Sequence, residues 1–290
     1  MINFIKKIKY FFQFIIVLLL FSLFKLLGLD NSRFIASKIF VFLGPLFRSN
    51  IITTSNIEKA FPSKDNNFKQ KIINEMWRTY GKILSEYNFM KIFREKESEK
   101  KIEIEGQTEL DIIKKNKQPV IFISGHFDNF ELMAMHIEKS GIDLAAIYRP
   151  LNNNFLNPVM ENIRKKYICK KQIKKGVSGT KDLLKYFRSG TSIALMIDQR
   201  VSEGINSKFF SQKALTTTIP AQFVKKFNCK IVPVHIKRKK DDNFKLKVFK
   251  PLDFSNNHNI DSITLTLNSV LEKMIMENPG QWIWTHNRWK

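Results

Sequence analysis

Cysteine is almost absent from this chain of 290 residues, which contains only two, Cys169 and Cys229. The two lie in unrelated contexts without metal-binding spacing, so we expect free structural thiols in a reducing compartment and no metal site. A glycine-rich loop with the spacing of a nucleotide-binding motif is absent as well. At this length the hydrophobic core can be large enough to need no disulfide bonds.

Acidic residues are also scarce, since 26 Asp and Glu stand against 49 Lys and Arg and leave a formal net charge of +23. Such an excess favours nucleic acid, an anionic membrane surface or an acidic carrier protein as a partner, although compositional bias alone would also produce it. A nucleic-acid-binding face would need basic residues interleaved with exposed aromatic residues. The lysines are spread along the whole chain instead, so we expect no nucleic acid.

Charge is absent from an apolar run near the N-terminus, Tyr10–Phe24, which further apolar residues extend. No small-residue cleavage site follows, so we interpret the run as an uncleaved membrane anchor. It is barely long enough to span a bilayer, which takes about 20 residues, and basic residues on both sides leave its orientation open. A second apolar stretch, Phe34–Leu43, is either interfacial or a buried core helix. We predict a membrane-anchoring segment, residues 1–50, and a catalytic α/β domain, residues 51–290.

Apolar periodicity divides the remainder into a helical part and an alternating part. Asn56–Phe93 carries an apolar stripe at helical spacing, and a charged break at 96–101 follows it. From there strand-like and helix-like segments alternate, which is typical of an α/β fold with a mostly parallel central sheet flanked by helices. The predicted strands are Val120–Ser124, Leu144–Tyr148, Ser192–Ile197, Lys230–Ile236 and Lys245–Phe249, and the predicted helices are Asn129–Lys139, Pro158–Lys166, Thr180–Arg188 and Pro220–Phe227.

The most informative motif follows the first strand of the alternating part: Gly125, then His126 and, five residues further on, Glu131. Gly125 permits a sharp exit from the strand, and Asp128 or Asn129 can cap the next helix. Ligand sites of open α/β sheets lie at such strand ends. With His126 in the loop and Glu131 in the first turns of the helix, the two can meet as a general base and its orienting acid. The alternative is a loop histidine beside a surface glutamate.

Further polar groups stand at or near the ends of predicted elements. Arg149 follows a strand and Arg164 a helical stretch, where an arginine can bind phosphate or stabilise an oxyanion. Asp198 and Gln199 follow another strand and belong either to a site or to a structural turn. Near the C-terminus we expect at least two of the three tryptophans to be buried. The other histidines have no neighbours that suggest catalysis and are interpreted as structural: His136, His235, His258 and His286.

Six stretches occur in an order and spacing that hold across nearly the whole chain: the apolar anchor, Asn56–Pro62, the H-x4-E box His126–Glu131, Tyr148–Pro150 with Arg164, Asp198 and Gln199 with Phe209, Phe210 and Pro220, and Gln281–His286. No single stretch is decisive, but their co-occurrence is specific. In them the chain resembles the lipid A biosynthesis late acyltransferases of Gram-negative inner membranes. These enzymes belong to the broader lysophospholipid and glycerolipid acyltransferase superfamily.

The resemblance implies transfer of a fatty acyl chain from an acyl carrier protein thioester, as co-substrate, to a hydroxyl of a lipid A precursor, with no cofactor and no metal. It implies His126 as general base, Glu131 as the carboxylate that holds the imidazole, and Arg164 as the ligand of the oxyanion or the acceptor. No serine or cysteine nucleophile stands beside His126, so we expect direct transfer without an acyl-enzyme. The substrate-binding residues implied in the same way are Arg149, Asp198 and Gln199.

The resemblance further implies a monomer at the bacterial inner membrane, with the catalytic domain facing the cytoplasm. The positive charge would suit both an acidic carrier protein and an anionic lipid. Arg200 and Ser211 depart from the acidic residue and the glycine that many members carry, which leaves the chain length and the acceptor open. The alternatives are another glycolipid or a phospholipid as acceptor, coenzyme A as donor carrier, or, from another class, a membrane-tethered hydrolase with a metal at His126 and Asp128.

Overall fold

The computed structural model describes residues 2–95, 101–254 and 257–290, where a helical N-terminal part precedes alternating strands and helices. The helices are α1 (Ile2–Phe47), α2 (Asn50–Ala60), α3 (Asn66–Glu86), α4 (Met90–Arg94), α5 (Gln107–Asn116), α6 (Glu131–Lys139), α7 (Leu156–Ile163), α8 (Val177–Arg188), α9 (Ile219–Phe227) and α10 (Ile260–Glu277). The strands are β1 (Ile102–Glu105), β2 (Ile121–Ser124), β3 (Leu144–Tyr148), β4 (Lys171–Lys174), β5 (Ser192–Met196), β6 (Ile205–Phe209), β7 (Gln212–Thr216), β8 (Ile231–Arg238) and β9 (Phe244–Val248).

Seven of these strands form the central sheet, in the order β1-β9-β8-β2-β5-β3-β4. Neighbours run parallel except β8 and β9, which are antiparallel. The five predicted strands all lie in this sheet, and the predicted α/β fold with a mostly parallel sheet flanked by helices is confirmed. Strand β2 lies between β5 and β8 and is buried over its whole length, as a strand covered on both faces must be.

The elements that were not predicted are mostly polar on one face. Strands β1 and β4 form the two edges of the sheet, and each mixes charged or amide side chains with isoleucine, so neither has a long apolar run. Strands β6 and β7 pair with each other outside the central sheet. Helices α5 and α10 were also missed. Of the charged break predicted at 96–101, residues 96–100 lie outside the described residues.

The predicted helical part is divided at Pro62. Helix α2 ends at Ala60, and α3 begins after Asp65, whose side chain accepts a hydrogen bond from the backbone N–H of Phe68 at 2.7 Å. This is an N-cap of the usual kind, because the carboxylate satisfies one of the unpaired N–H groups of the first turn. The predicted helical part Asn56–Phe93 is therefore divided among α2, α3 and α4.

Helix α1 is long and apolar and has two halves that meet at Gly28, whose φ of 75° is accessible chiefly to glycine. The segment Phe4–Leu46 is long and apolar enough to cross a membrane, and its most apolar stretch of 18 residues has a mean hydropathy of 2.4. After the kink, α1 packs along α3 so closely that a Cβ at Gly81 would collide with the carbonyl group of Ala36. The second apolar stretch therefore has a packed face, which includes Ala36, and an exposed face, which includes Phe42. The division at residue 50 stays a prediction.

Candidate active site

A cavity of about 620 Å³ opens at the carboxyl ends of β2, β5 and β3. Ligand sites of open α/β sheets lie at this edge, because the loops that leave parallel strands converge there. Much of its wall is apolar and comes from α6, β3 and β5, including Met133, Ile147 and Leu195. The predicted site residues that line it are His126, Glu131, Arg149, Arg164 and Gln199. Asp198 does not line the cavity but is buried directly behind His126.

The imidazole of His126 is hydrogen-bonded to Asp198, from Nδ1 to Oδ1 at 2.8 Å. Strands β2 and β5 are parallel neighbours in which Ser124 is paired with Met196. His126 and Asp198 each lie two positions beyond this pair. The backbone N–H of His126 and the indole N–H of Trp282 both donate to Asp198 Oδ2, each at 2.8 Å. Strand order and register thus bring together two residues that are 72 positions apart in sequence.

The charge state of Asp198 determines what His126 can do. Burial would raise the pKa of Asp198, but the neighbouring His126 and the three hydrogen bonds outweigh it and lower the pKa to about 2. The carboxylate is therefore ionised near neutral pH and accepts the Nδ1 proton, which leaves Nε2 as the free lone pair of the neutral ring. Glycine at position 125 allows Asp198 and Phe127 to lie close to the loop, because a Cβ there would be 3.3 Å from Asp198 Oδ2 and 2.9 Å from the ring of Phe127.

The predicted hydrogen bond between His126 and Glu131 is wrong. Glu131 is the first residue of α6, and its Oε1 accepts from Tyr87 Oη at 2.5 Å and from Arg164 Nε at 2.8 Å. The helix begins at this residue and its side chain extends toward α3 and the Arg164 turn, so Asp198 occupies the position beside the imidazole. Sequence proximity suggested the wrong carboxylate, whereas sheet pairing supplies the right one.

Arg164 begins a wide helical turn, Arg164–Ile168, that continues from α7. Its Nε and Nη2 contact Glu131, and Nη2 also donates to Tyr87 Oη at 3.2 Å. Its Nη1 is buried and has no hydrogen-bond partner among the described residues. A buried donor without a partner costs free energy, and Arg164 as a residue also lines the cavity.

Asp128 and Asn129 do not cap α6, contrary to prediction; its N-cap is Phe130, without a side-chain hydrogen bond. Asp128 has a φ of 36° and is paired with Arg238, whose Nε and Nη2 lie 3.0 Å and 2.5 Å from the two carboxylate oxygens. Asn129 donates to Glu86 Oε2 at 2.7 Å. The loop between His126 and Glu131 is therefore held by buried side chains.

The buried cluster around this loop contains two carboxylates and two guanidinium groups. Glu86, at the end of α3, accepts from Arg238 Nη1 and from Arg33 Nε, both at 2.6 Å. Burial would raise the pKa of Glu86, but Arg238 and Arg33 outweigh it and lower the pKa. The cluster connects helix α1 to the loop that follows His126.

Several residues at the site were not predicted. His286, interpreted as structural, lines the cavity, and its Nε2 accepts a hydrogen bond from the backbone N–H of Arg200 at 3.0 Å. Burial lowers the pKa of His286 to about 4, so the ring is neutral near neutral pH. Tyr87 and Trp282 have no local signal, because each acts through a partner far away in sequence. The prediction that at least two of the C-terminal tryptophans are buried is confirmed by Trp282 and Trp284.

Exposed cations lie at the rim of the cavity: Arg48, Arg149 and Lys175. Among the described residues, no group of three or more His, Cys, Asp or Glu side chains is placed to hold a metal ion. Asp128, which the hydrolase alternative places at a metal with His126, is paired with Arg238 in the buried cluster.

Comparison with known proteins agrees with the resemblance seen in the sequence. The family model of the bacterial lipid A biosynthesis acyltransferases matches residues 3–290. The lipid A biosynthesis acyltransferase of Haemophilus influenzae is 25% identical over 251 residues, which cover 84% of this chain and 78% of that protein. The lipid A biosynthesis palmitoleoyltransferase of Escherichia coli is 23% identical over 250 residues, which cover 84% of this chain and 80% of that protein.

A solved structure that the fold resembles is the 1-acyl-sn-glycerophosphate acyltransferase of Thermotoga maritima, with a TM-score of 0.42, 14% identity and coverage of 92% of this chain and 98% of that chain. The family match, by contrast, extends over nearly the whole sequence and includes both the apolar helix and the cavity residues. The chain belongs to the family of bacterial lipid A biosynthesis acyltransferases.

Proposed function

We propose that this acyltransferase moves a fatty acyl chain from an acyl carrier protein thioester to a hydroxyl of a lipid A precursor, at the cytoplasmic face of the inner membrane. The observation that carries the proposal is the buried Asp198 carboxylate, 2.8 Å from His126 Nδ1, behind an apolar cavity. Because Nδ1 is hydrogen-bonded to Asp198, Nε2 is the ring nitrogen left to act as a base.

In the proposed reaction, His126 Nε2 takes the proton of the acceptor hydroxyl while the oxygen attacks the thioester carbonyl carbon. The tetrahedral oxyanion then collapses, the C–S bond breaks, and the thiol leaves with the proton returned by the imidazolium. Asp198 stabilises the imidazolium between these two steps. General-base assistance of this kind contributes about 10²–10⁴-fold in rate. The thiolate needs little acid assistance, because thiols ionise near about pH 8.5.

Arg164 and Glu131 have complementary roles in this proposal. The guanidinium of Arg164, which lines the cavity, donates to the developing oxyanion, and such a donor contributes about 3 kcal/mol to stabilisation of the transition state. Glu131 holds the guanidinium through Oε1 and retains Oε2 for the acceptor hydroxyl. Glu131 thus remains a catalytic residue in the proposal, but it orients the acceptor and not the imidazole.

The surroundings of the cavity suit a lipid and a charged donor. Its apolar wall has room for an acyl chain, and the rim cations Arg48, Arg149 and Lys175 suit phosphate groups of the donor or the acceptor. The exposed apolar side chains of α1, such as Phe12 and Leu19, suit insertion into the bilayer. A carrier-protein donor requires a cytoplasmic site, and the chemistry requires no cofactor beyond the acyl thioester. The protein is proposed to act as a monomer.

The test uses the full chain in detergent micelles, with a lipid A precursor as acceptor and acyl carrier protein or coenzyme A thioesters as donors. We expect His126→Ala to abolish transfer and Asp198→Asn to lower kcat by about 10²–10⁴-fold. Asp261→Asn, an exposed carboxylate in the first turn of α10, is the matched control and should retain full activity. Full activity of His126→Ala would refute the mechanism, and transfer only to phospholipid would refute the acceptor.

A further inference from the structure

Tyr87 lies beneath the Glu131–Arg164 pair, in the short turn that follows α3. Its side chain is buried, and its hydroxyl donates to Glu131 Oε1 at 2.5 Å. The same hydroxyl oxygen accepts from Arg164 Nη2 at 3.2 Å. One phenol therefore contacts both members of the pair, from the side away from solvent.

The pair itself departs from the usual arrangement of arginine and carboxylate. Such pairs commonly form two parallel hydrogen bonds that use both carboxylate oxygens. Here Arg164 Nε and Nη2 lie 2.8 Å and 2.7 Å from the same oxygen, Glu131 Oε1. Together with Tyr87, three donor groups converge on Oε1, and Oε2 receives no hydrogen bond from the described residues. Because Glu131 lines the cavity, Oε2 is left for a ligand.

We propose that Tyr87 is a positioning residue that keeps one oxygen of Glu131 free for the acceptor hydroxyl. The inference rests on the proposed function of Glu131. The terminal torsion of a glutamate is soft, so the carboxylate turns easily about its last bond. Without the phenol, the carboxylate would turn to form the two-oxygen pair with Arg164, and Oε2 would leave the cavity.

The phenol is suited to this task at every working pH. Burial, and next the neighbouring Glu131, raise the pKa of Tyr87 above its usual 10. The hydroxyl is therefore always protonated and always a donor to Oε1. Phenylalanine has the same ring and removes only this group, so Tyr87→Phe leaves the packing around the ring intact.

The experiment measures steady-state transfer by the full chain and by Tyr87→Phe in the same micelles. We expect kcat to fall by about 10- to 100-fold, as for loss of a hydrogen bond to a charged group, with the KM for the acyl donor unchanged. Tyr186→Phe removes a phenol hydroxyl on α8, away from the cavity, and should retain full activity. Melting temperatures of both variants show that each is folded.

A double-mutant cycle separates positioning from a merely structural role. In a Glu131→Gln background there is no carboxylate to position, so Tyr87→Phe should then change kcat by less than about 2-fold. A loss of equal size in both backgrounds, or an unchanged kcat in Tyr87→Phe alone, would overturn the inference about Tyr87. Full activity of Glu131→Gln would instead overturn the proposed role of Glu131, which makes the two failures distinguishable.

Discussion

Arg33 is a buried cation on the largely apolar helix α1, and its replacement by methionine tests whether α1 belongs to the stable core. Its side chain is 3% exposed, and its Nε donates to Glu86 Oε1 at 2.6 Å. The guanidinium carbon also lies 5.6 Å from the ring centroid of Phe93 and 5.8 Å from that of Phe244. The variant Arg33→Met keeps much of the side-chain volume but removes the charge and the donor.

The expected loss of stability follows from the carboxylate of Glu86, which stays buried without its Arg33 partner. Removal of one partner of a buried ion pair costs about 3–5 kcal/mol. Arg238 continues to donate two hydrogen bonds to Glu86, at 2.6 Å and 3.1 Å, so we expect the lower end of that range. At about 2–4 °C per kcal/mol for domains of 150–250 residues, a loss of about 3 kcal/mol lowers the melting temperature by about 6–12 °C.

The assay is thermal unfolding in detergent micelles, followed by circular dichroism. Lys38→Met is the matched control, because it makes the same charge change on the same helix at an exposed position and should change stability by less than about 0.5 kcal/mol. Equal melting temperatures of the two variants would show that the ion pair between Arg33 and Glu86 contributes nothing to the stability of the fold. The connection from α1 to the His126 loop would then have no energetic basis.

Three further predictions follow from individual contacts. Burial lowers the pKa of His136 from its ordinary 6.5 to about 4. Between these two pH values only the unfolded chain binds the proton, so the free energy of unfolding should decrease with falling pH by up to about 1.4 kcal/mol per pH unit. The variant His136→Met should therefore make the melting temperature less dependent on pH in this range. The variant Gly125→Ala places a Cβ 2.9 Å from the ring of Phe127 and 3.3 Å from Asp198 Oδ2, so we expect a lower kcat and a lower melting temperature. Wild-type values of both would show that the added methyl group is accommodated without displacing these neighbours. Deletion of residues 2–20, which keeps the buried Phe21 and Phe24, should leave the rest of α1 folded but weaken sedimentation with vesicles. Undiminished sedimentation would contradict an anchor in the deleted residues.

The sequence determined the architecture where the apolar signal is strong. Strands β2 and β5 and the first half of β8, Ile231–Val234, are almost wholly buried, and a strand buried on both faces requires an apolar run that is visible in the chain itself. The edge strands β1 and β4 were missed, because a strand with one wet face and only four residues has too little apolar pattern to be distinguished from a loop. The position of His126 at a strand end was predictable for the same local reasons.

Which carboxylate meets His126 was decided only by the tertiary structure. Glu131 is five residues away along the chain, but α6 begins there and its side chain binds Tyr87 and Arg164. Asp198 is 72 residues away, yet it contacts the imidazole because β2 and β5 are neighbours in parallel register. Local periodicity shows where each strand ends, whereas strand order depends on how the whole core packs, and no short stretch of sequence contains that information.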